Sequence, residues 1–245
     1  MLSRNTTWTI TRDASLGLNF AGVNYYDGQG FMVKSSLGVS SAMELSGAAV
    51  CIQAGTTTEL NLADWGKANG IEYNSVVSDT NAQTLTNYDA GRCDVLTTDA
   101  SGLYSMRAAA NDPSEHVVLP EIISKEPLGP VVRQGDDQWF NIVRWSLNAM
   151  ITAEELGVTS ATVDDVSNNP ERERLMGRSG STHEYVGLTP DWTYQIVKQV
   201  GNYSESFERN IGINTPIGIA RGVNALWTDG GISVSYTHLT LPTKA

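Results

Sequence analysis

Two places in the sequence carry residue types that suit the binding of a small charged molecule. A short apolar run, residues 48–53, is followed by Gly55-Thr56-Thr57-Thr58, where a helix is predicted to begin. Free backbone N–H groups and the helix dipole make a helix start suited to an anion. Asp99 ends another predicted strand, and a carboxylate, which only accepts hydrogen bonds, suits an ammonium ion. An anion site and a cation site side by side would fit an α-amino acid.

Each of these features also has a purely structural interpretation. Thr56 and Glu59 have the spacing of a capping box, in which both side chains bind backbone N–H groups at the helix start. Capping accounts for Thr56 but leaves the threonines after it unexplained. Asp99 equally suits the N-cap position of the helix that is predicted to follow it. Position alone leaves both interpretations of Asp99 open.

The elements around these residues alternate between strand and helix. Strands are predicted at residues 48–53, 71–77 and 93–99, and helices at about 57–69, 79–90 and 102–110. This order implies a parallel sheet with right-handed crossovers. Ligands of such sheets collect at the carboxyl ends of the strands. We therefore predict that Thr56, Thr57 and Asp99 share one edge of a sheet.

The rest of the chain is predicted to be mostly helical. Residues 122–132 read as a connection, a long amphipathic helix starts at Asp136 and stops at Gly157, and further helices are predicted at 192–200 and 219–227. Residues 2–9 read as one strand, followed by a polar turn around Arg12. Because a single strand is not stable alone, it must pair with strands from elsewhere in the chain.

Composition limits the classes of function. The 245 residues include 40% hydrophobic and 18% charged residues, which is typical of a folded globular protein. The net charge of -11 repels phosphate and anionic lipid, so we expect no nucleic-acid partner. No apolar run reaches the roughly 18 residues of a membrane span, so we expect no membrane insertion. Cys51 and Cys93 lack metal-ligand spacing; they could be two buried thiols or a disulfide, and no metal or cofactor is predicted.

Six segments taken together resemble one family. They are SRNTTWT (3–9), QAGTTTEL (53–60), AGRCD (90–94), QGDDQWF (134–140), QVGNY (199–203) and LWTDGG (226–231). In this order they look like the general L-amino-acid-binding periplasmic proteins of ABC transporters. The resemblance extends from about residue 2 to residue 232.

The resemblance implies a set of ligand-binding residues. In this family, hydroxyls and an arginine of the first lobe and a threonine at a helix start of the second lobe hold the ligand's carboxylate. An aspartate after a strand of the second lobe holds its ammonium group. Carried over to this sequence, Thr7, Thr9, Arg12 and Thr57 are expected to bind the carboxylate, and Asp99 the ammonium group. Arg12 is the nearest candidate for the arginine of the family.

The resemblance also implies the fold and its divisions. We expect a bilobed, hinged α/β fold of the type II periplasmic-binding-protein class, with a complete second lobe and a first lobe that lacks its N-terminal half. Residues 1–24 are expected to be the remnant of the first lobe and 25–125 the second, parallel α/β lobe. Residues 126–232 are expected to return to the first lobe. Residues 233–245 are unlike the family and are expected to be a non-native tail.

Three further expectations concern location, sulfur chemistry and function. Met1 stands where the family usually has valine, so we expect a truncated chain that has lost its signal peptide. The family's periplasmic, oxidising location implies that Cys51 and Cys93 pair. We expect a monomeric solute-binding protein that captures free L-amino acids and delivers them to the permease of an ABC importer. The alternative is an enzyme on the same scaffold, such as a cyclohexadienyl or arogenate dehydratase, for which Asp99 is the one plausible acid or base.

Overall fold

This computed structural model describes residues 1–235, and all the strands in that part of the chain lie before residue 134. The strands are β1 Leu18–Phe20, β2 Tyr25–Asp27, β3 Gln29–Lys34, β4 Ala49–Gln53, β5 Asn74–Ser78, β6 Val95–Asp99, β7 His116–Val118, β8 Glu126–Leu128 and β9 Val131–Arg133. The α-helices are α1 Thr57–Asn69, α2 Asn81–Asp89, α3 Ala100–Ala109, α4 Asp137–Glu155, α5 Pro170–Leu175, α6 His183–Val186, α7 Trp192–Val200 and α8 Tyr203–Asn210.

The chain divides into two compact units. The first unit contains Met1–Arg4, Trp8–Asn24 and the chain from Gly129 onward, and the second contains Asn5–Thr7 and Tyr25–Leu128. Residues 5–7 and 126–128 therefore go with the second unit. The lobe boundaries expected from the resemblance stay predictions.

The second unit is built on a mixed sheet rather than a wholly parallel one. Its strand order is β5-β4-β6-β3-β7, with β4 parallel to β5 and β6, and β3 antiparallel to β6 and β7. The parallel part agrees with the prediction. The antiparallel part comes from β3 and β7, and neither strand is predicted from the sequence. The run Phe31-Met32-Val33 in β3 is too short to be recognised by periodicity.

Alternating side chains of this sheet build a core on each face. Phe31 and Val33 of β3 pack with Ile52 of β4 and Leu62 of α1 on one face. Met32 packs on the opposite face, in a core that also holds Cys51, Tyr88, Cys93, Leu96 and Leu103. This is the alternation of side chains that a β-strand imposes. Because α1 lies against one face and α2 and α3 against the other, their positions relative to the strands are set by packing.

Cys51 and Cys93 form a disulfide in the second of these cores. Their Cα atoms lie 5.6 Å apart, and the bond closes a sequence separation of 42 residues. Cys51 lies in β4, and Cys93 lies two residues before β6. The bond therefore links two neighbouring strands that lead to the same edge of the sheet, and the pairing implied by the resemblance is confirmed.

Helix α1 begins and ends where its local sequence predicts. Thr56 is the N-cap, its Oγ1 accepting from the N–H of Glu59 at 3.3 Å, and Gly70 ends the helix with φ of 67°. The expected capping box is incomplete, because the Glu59 carboxylate accepts from the N–H of Gly55 at 2.9 Å instead of that of Thr56. Glu59 thus binds the turn before the helix. Thr57 is the first helical residue.

Three predicted elements are wrong. Residues 2–9 form only the isolated bridges Leu2 to Val131 and Thr7 to Leu128, because this segment passes from one unit to the other. Residues 122–132 are not merely a connection, since they contain β8 and most of β9, which pair antiparallel with β2 and β1. Residues 219–227 form short 3-10 turns instead of a helix, with Gly222 at a φ of 48° that interrupts helical geometry.

The first unit is mostly helical around α4. Asp136 caps α4 by accepting from the N–H of Trp139 at 2.9 Å, as predicted. Helix α4 packs against α5, α6, α7 and α8, and the central core contains Ala149, Ala153, Val158, Val163, Leu175, Met176, Val186, Trp192 and Val197. Every helix in residues 1–235 is too short or too polar to span a bilayer.

The predicted tail, 233–245, lies mostly outside the described residues. Of its described part, Ser233 accepts from the N–H of Trp227 at 2.9 Å and donates to the carbonyl of Ala225 at 3.0 Å. Ser235 donates its N–H to Glu155 at 3.0 Å. These first residues of the tail therefore pack on the first unit, and the non-native origin of the tail stays a prediction.

A capping box at the start of α8 supports the first unit and yields a stability prediction. Asn202 is 4% exposed, accepts from the N–H of Glu205 at 2.9 Å and donates to the carbonyl of Val158 at 2.9 Å. Asn202→Ala removes both bonds, and we expect it to lower the free energy of unfolding by about 2 kcal/mol in urea denaturation. The control is Asn169→Ala, which removes an exposed cap of α5 and should cost about 1 kcal/mol or less. Equal costs for both variants would contradict the prediction.

Candidate functional site

One edge of the second unit's sheet collects the polar residues of interest; we call it the carboxyl edge. Strands β4 and β6 are parallel neighbours, so both end there, followed by α1 and α3. Thr57 opens α1 and Asp99 closes β6. Strand β3 runs the opposite way and starts at this edge, where Gln29 pairs with Asp99. The predicted convergence of Thr56, Thr57 and Asp99 on one edge is therefore present.

Asp99 does not cap the helix that follows it. It is 5% exposed and occupies the N-cap position of α3, but its side chain makes no capping hydrogen bond. Asp27 takes that role, because its carboxylate accepts from the backbone N–H of Ser101 at 3.3 Å and from the Ser101 hydroxyl at 2.5 Å. The helix-capping interpretation of Asp99 is therefore not supported, and its role in ligand binding stays a prediction.

Two more carboxylates lie at this edge, on the β2–β8 pair. Asp27 and Glu126 are opposite each other in the antiparallel register. The pKa of Asp27 is raised, chiefly because burial disfavours its charged form and additionally because of the negative charge of Glu126. In residues 1–235 neither residue forms an ion pair with a basic side chain. Like charges opposite each other are unfavourable, and this pair adds negative charge to the edge.

Glu126 joins three separate segments of the second unit. It is 2% exposed. Its Oε1 accepts from Asn61 Nδ2 at 2.7 Å and from the Ser124 hydroxyl at 2.6 Å. Its Oε2 accepts from the hydroxyl of Thr57 at 3.3 Å and from that of Thr7 in a shorter contact. The carboxylate is thus held by uncharged donors, two on each oxygen.

Gln29 completes the polar layer beneath this edge. Its side chain is fully buried and its Nε2 donates to the carbonyl of Thr58 at 3.1 Å and to the Thr97 hydroxyl at 2.9 Å. Its backbone N–H donates to the Ser124 hydroxyl at 3.1 Å, the same hydroxyl that binds Glu126. The Oε1 atom of Gln29 has no hydrogen-bond partner among the described residues. Gln29 therefore ties β3 to the start of α1.

Thr9 and Arg12 belong to the first unit. Arg12 lies in a short π-helical segment, Thr11–Ser15, and its backbone N–H donates to the Thr9 hydroxyl at 3.3 Å. These two predicted ligand residues are therefore neighbours. Thr7, which the resemblance groups with them, goes with the second unit. The ligand roles of all five residues, Thr7, Thr9, Arg12, Thr57 and Asp99, stay predictions.

Sequence reasoning missed Asp27, Gln29 and Glu126. Glu126 lies in a segment that reads as a connection, and its partners Thr7 and Thr57 are 119 and 69 residues away. Asp27 and Gln29 flank Gly28 ahead of an unrecognised strand. A recognised strand at residues 29–34 could have drawn attention to both, because its first residues would then lie at a sheet edge. No local pattern singles out Glu126.

These features define a class of protein. A mixed α/β unit carries buried carboxylates and a helix start at one sheet edge, and the chain passes through the β2 and β8 strands to a second, largely helical unit. This is the arrangement of the periplasmic-binding-protein fold.

Comparison with known proteins gives the family. The chain is 60% identical over 236 residues to the general L-amino-acid-binding periplasmic protein AapJ of Rhizobium johnstonii, covering 95% of this chain and 69% of that protein. It is 54% identical over 235 residues to the glutamate/glutamine/aspartate/asparagine-binding protein BztA of Rhodobacter capsulatus, covering 95% of this chain and 70% of that protein. The protein belongs to the amino-acid-binding periplasmic proteins of ABC transporters.

A solved structure supports the same assignment. An ABC-transporter periplasmic binding protein from Brucella ovis, with glutathione bound, superimposes with a TM-score of 0.91 at 55% identity, covering 94% of this chain and 74% of that chain. No family model matches the sequence. The bilobed α/β class implied by the resemblance is thus confirmed.

Proposed function

We propose that the protein is a periplasmic solute-binding protein that captures a free L-amino acid and delivers it to the permease of an ABC importer. The observation that carries the proposal is Asp99, a buried carboxylate beside the start of α1 that does not cap the helix after it. A carboxylate placed beside a helix start gives a zwitterion an acceptor for its ammonium group next to backbone N–H groups for its carboxylate. The family to which the chain belongs supports the same function.

Each predicted residue has a proposed role. Asp99 holds the ammonium group of the ligand, because a carboxylate accepts several N–H bonds from one cation. Thr57 offers its hydroxyl and the first N–H groups of α1 to the ligand's carboxylate. Thr7, Thr9 and Arg12 are proposed to bind the same carboxylate, as the resemblance implies. The bound molecule is released unchanged, and the protein acts as a monomer.

A ligand panel tests the proposed function. AapJ is a general L-amino-acid-binding protein, BztA binds glutamate, glutamine, aspartate and asparagine, and the Brucella ovis protein has glutathione bound. We expect L-glutamate, L-glutamine, L-aspartate and L-asparagine to bind in isothermal titration calorimetry with micromolar constants. At 100 times the dissociation constant, a ligand adds about 2.7 kcal/mol to the free energy of unfolding, which thermal denaturation detects.

Two controls accompany the panel. The D-enantiomers present the same charges in a different arrangement and should bind far more weakly. Ligand recovered after incubation and analysed by mass spectrometry should be unchanged. If no ligand of the panel binds, the proposed function is contradicted. A chemically altered ligand would favour an enzyme such as a dehydratase.

A further inference from the structure

Glu126 occupies donors that the proposed function assigns to the ligand. Its Oε2 accepts from the hydroxyls of Thr7 and Thr57. Both hydroxyls are proposed to bind the carboxylate of an amino acid. A carboxylate of the chain itself therefore stands where a carboxylate of the ligand is expected.

Counting hydrogens shows that the two carboxylates compete. A threonine hydroxyl has one hydrogen to donate and otherwise offers lone pairs. While Thr57 donates to Glu126, its oxygen presents only lone pairs to a ligand, and lone pairs repel a carboxylate. The ligand can receive the hydrogen of Thr57 only if Glu126 gives it up.

The contact lengths indicate which bond is exchanged. The Thr57 contact is the longest of the four, at 3.3 Å, whereas Asn61 and Ser124 lie at 2.7 and 2.6 Å and Thr7 is closer still. A hydrogen bond at 3.3 Å is weaker than one at 2.7 Å. Loss of the Thr57 bond leaves Glu126 with Asn61 and Ser124 on Oε1 and, unless the ligand takes that hydrogen as well, with Thr7 on Oε2.

We propose that Glu126 is an internal competitor for the ligand's carboxylate, which must take the Thr57 hydroxyl from it. This inference rests on the proposed function and adds a residue that sets affinity and selectivity. The ligand's carboxylate arrives beside the charges of Glu126 and Asp27, with no basic side chain ion-paired to either in the described residues. A positive charge on the ligand itself reduces this repulsion. Glu126 selects zwitterions over simple carboxylic acids.

The test is Glu126→Gln, measured by calorimetry with two probes. The amide keeps the size of the side chain and can bind Asn61 and Ser124 through its oxygen while its NH2 donates to the threonine hydroxyls, which also accept. For L-glutamine we expect the variant to bind about tenfold more tightly than the wild type. Glutaramate, which is L-glutamine without its amino group, loses the proposed contact with Asp99 in both proteins, so we expect weaker binding than for L-glutamine, with the variant binding it more tightly than the wild type does.

Two matched variants isolate the effect. Glu121→Gln neutralises another carboxylate of the second unit, which accepts from the Ser41 hydroxyl and the N–H of Ala42 and contacts no proposed ligand residue. It should leave both affinities unchanged. Adding Thr57→Val to Glu126→Gln should remove the gain, because the exchanged hydroxyl is then absent. Circular dichroism and the unfolding midpoint verify that each variant is folded.

Every outcome is informative. Tighter binding of L-glutamine by Glu126→Gln than by the wild type supports the inference, as does binding of glutaramate by the variant when the wild type shows weaker binding or none. If the wild type binds L-glutamine and the variant binds it equally well or more weakly, the inference is overturned and the proposed function stands. Weaker binding by the variant would place the ligand's ammonium group at Glu126. If neither protein binds any ligand of the panel, the proposed function and the inference fall together.

Discussion

Replacing Asp99 with alanine is expected to abolish measurable binding of amino acids. The Asp99 carboxylate is 5% exposed and leaves the capping of α3 to Asp27. Removing one partner of a buried, hydrogen-bonded charge pair costs about 2–5 kcal/mol, and the upper end of that range moves a micromolar dissociation constant to about millimolar. Calorimetry with L-glutamine measures it.

The control for this experiment lies at the other end of the same strand. Asp94, the residue before β6, is exposed and accepts from the N–H of Ala49 at 2.9 Å. Asp94→Ala removes a carboxylate of the same type away from the carboxyl edge, so it should leave affinity unchanged. Asp99→Asn keeps the size of the side chain but not its charge and should weaken binding nearly as much as alanine does. Undiminished binding by Asp99→Ala would refute the role of Asp99.

Removal of the Cys51–Cys93 disulfide is expected to lower the free energy of unfolding by about 4 kcal/mol. The bond closes a separation of 42 residues, and the loss of chain entropy in the unfolded state gives a value of this size in the loop-closure account. The variant Cys51→Ala with Cys93→Ala should unfold at correspondingly lower urea concentration than the oxidised wild type.

A reductant provides the matched control for the disulfide. The wild type under reducing conditions should unfold close to the double variant, while the variant itself should not respond to the reductant. Both cysteines are buried in the core between the sheet and helices α2 and α3, so the loss reports stability rather than ligand contact. An oxidised wild type no more stable than the double variant would contradict the prediction.

Local sequence predicted the elements whose determinants lie within a few residues. Helix α1 has its cap at Thr56 and its stop at Gly70, and helix α7 spans Trp192–Val200 as predicted. Caps, stops and helical periodicity are interactions between near neighbours, so one sequence suffices to recognise them. The prediction of a helix at 219–227 is wrong. The spacing of apolar residues favoured a helix, but the positive φ of Gly222 interrupts the helical backbone.

The sheet shows where local information ends. The parallel strands β4, β5 and β6 follow from alternating strands and helices. The antiparallel placement of β3 depends on how the chain enters the unit from β2, which no local pattern encodes. For the disulfide, composition left two alternatives and the resemblance implied pairing, which the structure confirmed by bringing Cys51 within 5.6 Å of Cys93, Cα to Cα.

The same division applies to the candidate site. The sequence by itself determined that Thr57 opens a helix and that Asp99 ends a strand at the same sheet edge, because both positions follow from adjacent elements. Only the tertiary structure decided that Asp27, and not Asp99, caps α3. It also decided that Glu126 accepts hydrogen bonds from Thr7, Thr57, Asn61 and Ser124. Most of these partners are 65 to 119 residues from Glu126 or Asp27, and contacts over such separations are set by the path of the whole chain.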